Sequence, residues 1–230
     1  MRGTKRGNTG QDSRSAGHGA AASVNDMTSI DFLTLEVADL AAAERFYTDA
    51  FGLGKQVRLR ASEEPTSGFR GFTVSLVVSQ PSIVNGLFGA ALAAGATELK
   101  PAKKSLWGYG GVVQAPDGTI WQLATSSKKD TGPDSRRIDE IVVLLGVSDM
   151  AATKRFYVDR GLTVAKSFGS KYVEFDGSAS PVKLSLYGRR GLAKVAGATP
   201  EGSGSHRLAI GGGTEAFTDP DGFVWEPATA

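Results

Sequence analysis

An aromatic segment rich in glycine carries the clearest ligand-binding pattern in the chain. Trp107 and Tyr109 lie among glycines in the segment 105–111. Rings with a polar edge can stack on a planar ligand in a pocket, although these glycines could equally serve a β-bulge. Gln122 lies in the hairpin that follows, and its neutral amide suits the orientation of a ligand because burying it requires no counter-charge. We therefore predict a pocket lined by Trp107, Tyr109 and Gln122.

The remaining reactive side chains are few. The chain has no cysteine, which excludes disulfides, thiolate metal sites and a cysteine nucleophile. Its two histidines are His18, in a polar N-terminal tail, and His206. The folded part therefore offers one imidazole. His206 is either a polar residue at the end of a strand or a donor in a binding site.

These residues lie in two copies of one sequence unit. Val-Ala-Asp-Leu at 37–40 precedes Phe-Tyr at 46–47, and a similar pattern returns at 147–150 and 156–157. Pro-Asp-Gly follows in each copy, at 116–118 and 220–222. A repeat of about a hundred residues has the size of a small domain. We predict a first domain at 28–126, a linker at 127–136 and a second domain at 137–230.

Each copy begins with a strand and a helix. In the first copy, residues 30–37 alternate as in a strand, Asp39 is a good helix N-cap, and apolar residues at 40–50 have helical spacing. A second helix is predicted near 85–95, and Pro-Asp-Gly is predicted to close a hairpin. The second copy starts alike, with a Gly- and Pro-rich loop later on, but the three glycines at 211–213 leave no room for its second helix. The fold class is therefore α+β.

Charge and composition limit the partners. Residues 1–27 contain almost no large apolar side chain and are predicted to be a disordered basic tail. This tail carries a net charge of +2, equal to that of the whole chain, so the folded part is neutral. Neutrality argues against a nucleic acid partner. With no apolar run of about 18 residues, we predict a cytoplasmic monomer or homodimer that does not interact with membranes and whose partner is a small organic molecule.

The repeated motifs resemble those of the vicinal oxygen chelate superfamily, which includes glyoxalases, bleomycin- and fosfomycin-resistance proteins and extradiol dioxygenases. The resemblance rests on the segments 35–40 and 147–150, the Arg-Phe-Tyr triplets at 45–47 and 155–157, and the two Pro-Asp-Gly turns. It implies tandem duplicated glyoxalase-like domains built of paired βαβββ modules, whose curled mixed sheets form clefts. We expect one cleft in each copy.

The resemblance also implies where a metal ion would bind. Members often hold a divalent metal with side chains from the first and last strands of the modules. The first-strand positions fall on Phe32 and Val142, neither of which can bind a metal. The final-strand positions fall on Gln122 and Glu226. His206 stands where members commonly place a second histidine.

One metal set remains open under this resemblance. Glu140 shares strand parity with Val142, so His206, Glu226 and Glu140 could hold one divalent ion, such as zinc, nickel, manganese or iron. The chain could equally bind no metal. An extradiol dioxygenase is disfavoured, because it uses two histidines and one carboxylate for iron.

Two functions follow from these alternatives. In the first, the protein binds a small organic molecule in a cleft, as resistance proteins of the superfamily do, with degenerate metal positions. In the second, it is a metal-dependent lyase or isomerase of glyoxalase type. The metal would then polarise a substrate oxygen while the carboxylate of Glu226 moves a proton. The sequence leaves open whether the protein is an enzyme.

Overall fold

The computed structural model describes residues 29–133 and 135–228, so the predicted tail at 1–27 lies outside the described residues. In the first half, nine elements follow one another: β1 (Phe32–Val37), α1 (Leu40–Ala50), β2 (Val57–Ala61), β3 (Thr66–Gly68), β4 (Phe72–Val77), α2 (Pro81–Ala93), β5 (Thr97–Ser105), β6 (Gly108–Gln114) and β7 (Ile120–Thr125).

The second half adds ten elements: β8 (Glu140–Val147), α3 (Met150–Val158), β9 (Val164–Ser167), β10 (Tyr172–Phe175), β11 (Val182–Gly188), α4 (Arg189–Ala196), β12 (Gly202–Gly204), β13 (Leu208–Gly211), β14 (Phe217–Thr218) and β15 (Val224–Glu226). No described helix has the length and apolar character needed to cross a membrane.

The repeated sequence motifs form the same local structures in both halves. The Asp39 carboxylate accepts a hydrogen bond from the backbone of Ala42, and Asp149 accepts from two backbone N–H groups at the start of α3. Each aspartate satisfies donors that the helix cannot pair internally. In the two Pro-Asp-Gly turns, Gly118 and Gly222 both adopt a φ of 91°, in the region that favours glycine. The predicted caps and turns are therefore confirmed.

Eight strands form the larger sheet, in the order β5-β6-β7-β4-β8-β11-β10-β9. It contains two complete βαβββ modules, one running from β4 to β7 and the other from β8 to β11. In each module the first strand is parallel to the last. The two modules join through antiparallel pairing of β4 with β8, where Val74 lies opposite Val143. The predicted α+β fold of paired modules is confirmed.

The five-stranded sheet, in the order β14-β15-β13-β1-β2, also spans the two copies. Its central strands, β1 and β13, pair antiparallel, with Leu35 opposite Leu208. A short third sheet pairs β3 with β12. The expectation of one cleft within each copy is therefore wrong. Each large sheet is joined by a strand pair that links the first copy to the second, namely β4 with β8 and β1 with β13.

The main core lies between the sheets and helices α1 to α3. It includes Phe46 and Tyr47 of the repeated motif and the two tryptophans Trp121 and Trp225. The opposite side of the eight-stranded sheet, which we call the cleft face, carries the alternate residues of the central strands. These residues include Thr73, Ser75, Gln122, Val142, Leu144 and Ser185.

Helix α4 covers part of the cleft face. Its buried residues Leu192, Ala193 and Ala196 belong to a second apolar cluster with Val112, Ile120 and Leu144. The prediction of a Gly- and Pro-rich loop was wrong here, since the apolar positions span only two turns and Gly191 weakens the helical pattern. By contrast, residues 212–216 connect β13 to β14 without a helix, as predicted.

Candidate functional site

A cavity of about 330 Å³ opens on the cleft face beside strands β5, β6 and β7. We call it the β5–β7 cavity. Trp107, Tyr109 and Gln122 all contribute to its lining, so the structure brings the three predicted ligand-binding residues to one place. The indole of Trp107 is 84% exposed. The Gln122 amide donates a hydrogen bond of 2.8 Å to the Thr73 hydroxyl, which fixes its orientation.

The side chain of Tyr109 is hydrogen-bonded to helix α2 and strand β5. Its hydroxyl donates to Asn85 Oδ1 of α2 at 2.7 Å and to the carbonyl oxygen of Ala102 at 3.3 Å. Tyr109 pairs with Thr125, whereas Gln122 pairs with Val112, so the two side chains lie on opposite faces of the sheet. The Tyr109 ring therefore packs towards α2, and Trp107 is the aromatic side chain left to stack on a ligand.

Two lysines from β5 add positive charge to the cavity. Lys100 and Lys103 both line it, together with Val195 of α4. The Lys100 ammonium donates to the carbonyl oxygen of Lys194, near the end of α4, at 2.5 Å. Partial burial lowers the pKa of Lys100, and the charges of Lys103 and Lys194 lower it further. The alternation of residues along a regular strand does not predict that both lysines line the cavity, because the register of β5 shifts between Glu98 and Lys103.

His206 is held between two backbone carbonyls. Its Nδ1 lies 2.5 Å from the oxygen of Arg70, and its Nε2 lies 3.1 Å from the oxygen of Asp221 in the second Pro-Asp-Gly turn. The ring stacks on Phe223 with centroids 4.0 Å apart. Each imidazole nitrogen therefore lies beside a backbone carbonyl oxygen, and a neutral ring can donate to one of the two. This placement favours the interpretation of His206 as a polar residue at a strand end.

Glu226, the predicted catalytic carboxylate, pairs with an arginine. Arg60 of β2 donates to Glu226 Oε1 at 2.5 Å and to Glu36 Oε1 at 2.7 Å. Glu36 lies on β1 and Glu226 lies on β15, and both strands belong to the five-stranded sheet. Beside them, the guanidinium of Arg58 lies 3.5 Å from the centre of the Phe32 ring. Two cationic side chains thus lie beside Glu226, one of the predicted metal ligands.

Glu140 lies on the other large sheet. Its carboxylate accepts a hydrogen bond of 2.6 Å from the Lys183 ammonium on the neighbouring strand. The structure therefore does not bring Glu140, His206 and Glu226 together. Within residues 29–133 and 135–228, no group of three or more His, Cys, Asp or Glu side chains could hold a metal ion. As placed in the structure, these three side chains do not form the predicted site for one divalent ion.

Each half also contains a buried tyrosine and tryptophan beside its Pro-Asp-Gly turn. Tyr47 donates to Asp117 and Tyr157 donates to Asp219, both at 2.6 Å. Burial raises the pKa of both tyrosines well above the usual value, and the neighbouring carboxylates raise it further. Burial also raises the pKa of Asp219, against the opposing effect of the Tyr157 hydrogen bond. These tyrosines hold the turns against the core.

Paired βαβββ modules whose first strands join antiparallel define a glyoxalase-like class of fold. No protein-family model matches the chain, and no curated protein matches it. Solved structures, by contrast, do match the chain. Glyoxalase I from maize (Zea mays) is 16% identical with a TM-score of 0.59, over 86% of this chain and 91% of that one.

A second solved structure, a putative dioxygenase from Bacillus subtilis, has the same TM-score of 0.59. It is 10% identical over 89% of this chain and 86% of that one. At these identities the similarity is one of fold. The chain therefore has a glyoxalase-like fold, and the matched regions extend over both halves.

Proposed function

We propose that this protein binds a small planar organic molecule in the β5–β7 cavity. The observation that carries the proposal is the exposed indole of Trp107 beside a concave surface that also presents the fixed amide of Gln122. An exposed large apolar side chain next to a cavity with a few oriented polar groups is the usual composition of a ligand site. The aromatic ring would stack on the ligand while Gln122 orients one of its polar atoms.

The charges of this cavity favour an acidic ligand. Lys100 and Lys103 contribute two ammonium groups, and no aspartate or glutamate belongs to the described lining. An aromatic carboxylic acid would combine a planar ring for Trp107 with a negative charge for the lysines. A metal-dependent lyase or isomerase reaction receives no comparable support, because His206, Glu226 and Glu140 are separated and already have protein partners.

Tryptophan fluorescence offers a direct test. The chain has three tryptophans, and Trp121 and Trp225 are fully buried, so iodide should quench mainly Trp107. We expect an aromatic acid that binds in the cavity to reduce this quenching and to raise the melting temperature by mass action. A screen of aromatic acids, with the corresponding amides as neutral comparisons, provides the ligands.

Two alanine variants complete the test. Trp107→Ala should abolish the stabilisation by each aromatic acid, whereas Phe168→Ala, which removes another exposed aromatic ring outside the cavity, should leave it unchanged. Stabilisation that persists in Trp107→Ala, or equal stabilisation by the neutral amides, would contradict the proposal. Failure of every aromatic acid to protect Trp107 from iodide would also contradict it.

A further inference from the structure

A second cavity, of about 300 Å³, lies at the start of helix α1 in the first half. We call it the α1 cavity. Its apolar wall is formed by Ala38, Ala42, Ala43, Phe46 and Pro116, and its polar wall by Thr66, Arg70 and Arg207 together with the carboxylates of Asp39 and Asp117. None of these residues lines the β5–β7 cavity. The two cavities are therefore separate sites.

In the second half, a carboxylate of the protein occupies the corresponding place. Asp221 accepts hydrogen bonds from the backbone N–H of Ser148 at 2.7 Å, from the Ser148 hydroxyl at 2.6 Å and from the Thr153 hydroxyl at 2.7 Å. The repeat aligns Ser148 with Ala38 and Thr153 with Ala43. The first half thus lacks both hydroxyls that hold this carboxylate.

The counterpart of Asp221 in the first half is turned elsewhere. Asp117 accepts from the Tyr47 hydroxyl at 2.6 Å. In the second half the equivalent tyrosine bonds instead to Asp219, whose counterpart is Ala115. Because Ala115 cannot accept that hydrogen bond, Asp117 does so. The place that the Asp221 carboxylate fills beside α3 is consequently a cavity beside α1.

The polar wall of the α1 cavity contains two buried polar atoms that have no hydrogen-bond partner. Arg70 donates through Nη2 to the backbone oxygen of Asp117, but its Nη1 is buried without a hydrogen-bond partner, as is the Thr66 hydroxyl oxygen. Arg207 donates to the carbonyl oxygens of Ser62 and Glu64, which are neutral. Neither arginine forms an ion pair with a described carboxylate, although the charge of Asp117 acts on Arg70 and raises its pKa against the larger, lowering effect of burial. A buried donor and a buried cation are both stabilised by an anionic acceptor.

We propose that the α1 cavity binds a small aliphatic monocarboxylate. Its carboxylate would take the place that Asp221 fills in the second half and would accept hydrogen bonds from Arg70 and Thr66. Its short alkyl chain would pack against Ala43, Phe46 and Pro116. This site is independent of the proposed aromatic-acid site.

Isothermal titration and amide NMR with propionate and butyrate test this site on the full chain. Propionamide, which has the same shape without the charge, and inorganic phosphate serve as comparison ligands. We expect the two carboxylates to bind and to shift the amide resonances of Ala42 and Ala43, with propionamide and phosphate binding at least about tenfold more weakly. Arg70→Met should weaken propionate binding by about tenfold or more, whereas Arg45→Met, on the exposed side of α1, should leave it unchanged.

Ala43→Val keeps the arginine and fills part of the cavity without adding a hydrogen-bond donor for the carboxylate, so it should also weaken propionate binding and covers the case in which Arg70→Met fails to fold. The proposal is overturned if neither carboxylate binds the unaltered protein, or if propionamide or phosphate binds as well as propionate. Undiminished propionate binding in a folded Arg70→Met or in Ala43→Val also overturns it. Protection of Trp107 from iodide reports on the other cavity, so the two proposals can fail separately.

Discussion

Replacement of Tyr157 by phenylalanine should destabilise the protein by roughly 3 kcal/mol at pH 7. The Tyr157 hydroxyl donates to Asp219 Oδ2 at 2.6 Å and accepts from the Trp225 indole at 3.2 Å, and all three residues are buried. The substitution leaves a buried carboxylate oxygen and an indole N–H without partners. A hydrogen bond to a charged group contributes about 1.5–3 kcal/mol, and an unpaired buried donor costs about 1 kcal/mol more.

Tyr47→Phe in the first half is the matched control. The Tyr47 hydroxyl also donates at 2.6 Å, but its acceptor Asp117 is half-buried, so water can replace the lost donor, and the Trp121 indole lies 3.4 Å away. We expect a loss of about 1 kcal/mol. In a chain of this length, each 1 kcal/mol lowers the melting temperature by roughly 2–4 °C, so the two variants should differ by several degrees.

The effect of Tyr157→Phe should depend on pH. Burial raises the pKa of Asp219 and the Tyr157 hydrogen bond lowers it, so the substitution raises it further. A carboxyl group whose pKa is higher in the folded than in the unfolded state binds more protons when folded. Its contribution therefore lowers the stability of the protein as the pH rises towards the folded pKa. The loss should therefore be smaller near pH 4 than at neutral pH. Urea unfolding across this range measures it. Equal losses for the two tyrosine variants, or a loss in Tyr157→Phe independent of pH, would refute the reasoning.

Three further substitutions test other parts of the structure by urea unfolding. Arg60→Met removes the cation between two carboxylates, and because Arg60 is partly exposed we expect a loss of about 1 kcal/mol or less that disappears near 1 M salt; a loss insensitive to salt would contradict this. Asp149→Ala should cost about 1 kcal/mol, and more than Asp39→Ala, since Asp149 caps two N–H groups; the reverse order would argue against it. Leu192→Ala should cost about 2–5 kcal/mol, and a negligible change would show that α4 does not pack on the cleft face.

Local features of the fold could be predicted from the sequence because each depends on a few neighbouring residues. Asp39 and Asp149 cap helices wherever those helices pack, and Gly118 and Gly222 permit the same turn in both halves. The duplication was equally visible in the spacing of these motifs. The pairing of strands could not be predicted in this way, because the residue pattern of β4 does not specify whether its free edge pairs with β1 or with β8.

The candidate site was predicted only in part. Trp107 and Gln122 follow from composition and position, but the direction of Tyr109 depends on strand register and on Asn85 in a separate helix. The partners of Glu226 and His206 could not be predicted because Arg60 and Arg70 are distant in sequence. A potential metal ligand can be recognised by residue type. Whether another side chain already neutralises it depends on tertiary structure.

The exchange of strands between the two halves has a consequence for synthesis of the chain. When the first half leaves the ribosome, β1 and β4 each have an edge whose partner strand has not yet been synthesised. In the folded protein Val74 of β4 pairs with Val143, and Leu35 of β1 pairs with Leu208. Unpaired strand edges promote association with other chains. Neither large sheet can be completed during translation of the first half, so final folding depends on the arrival of the C-terminal strands, and the nascent first half is the stage most exposed to aggregation.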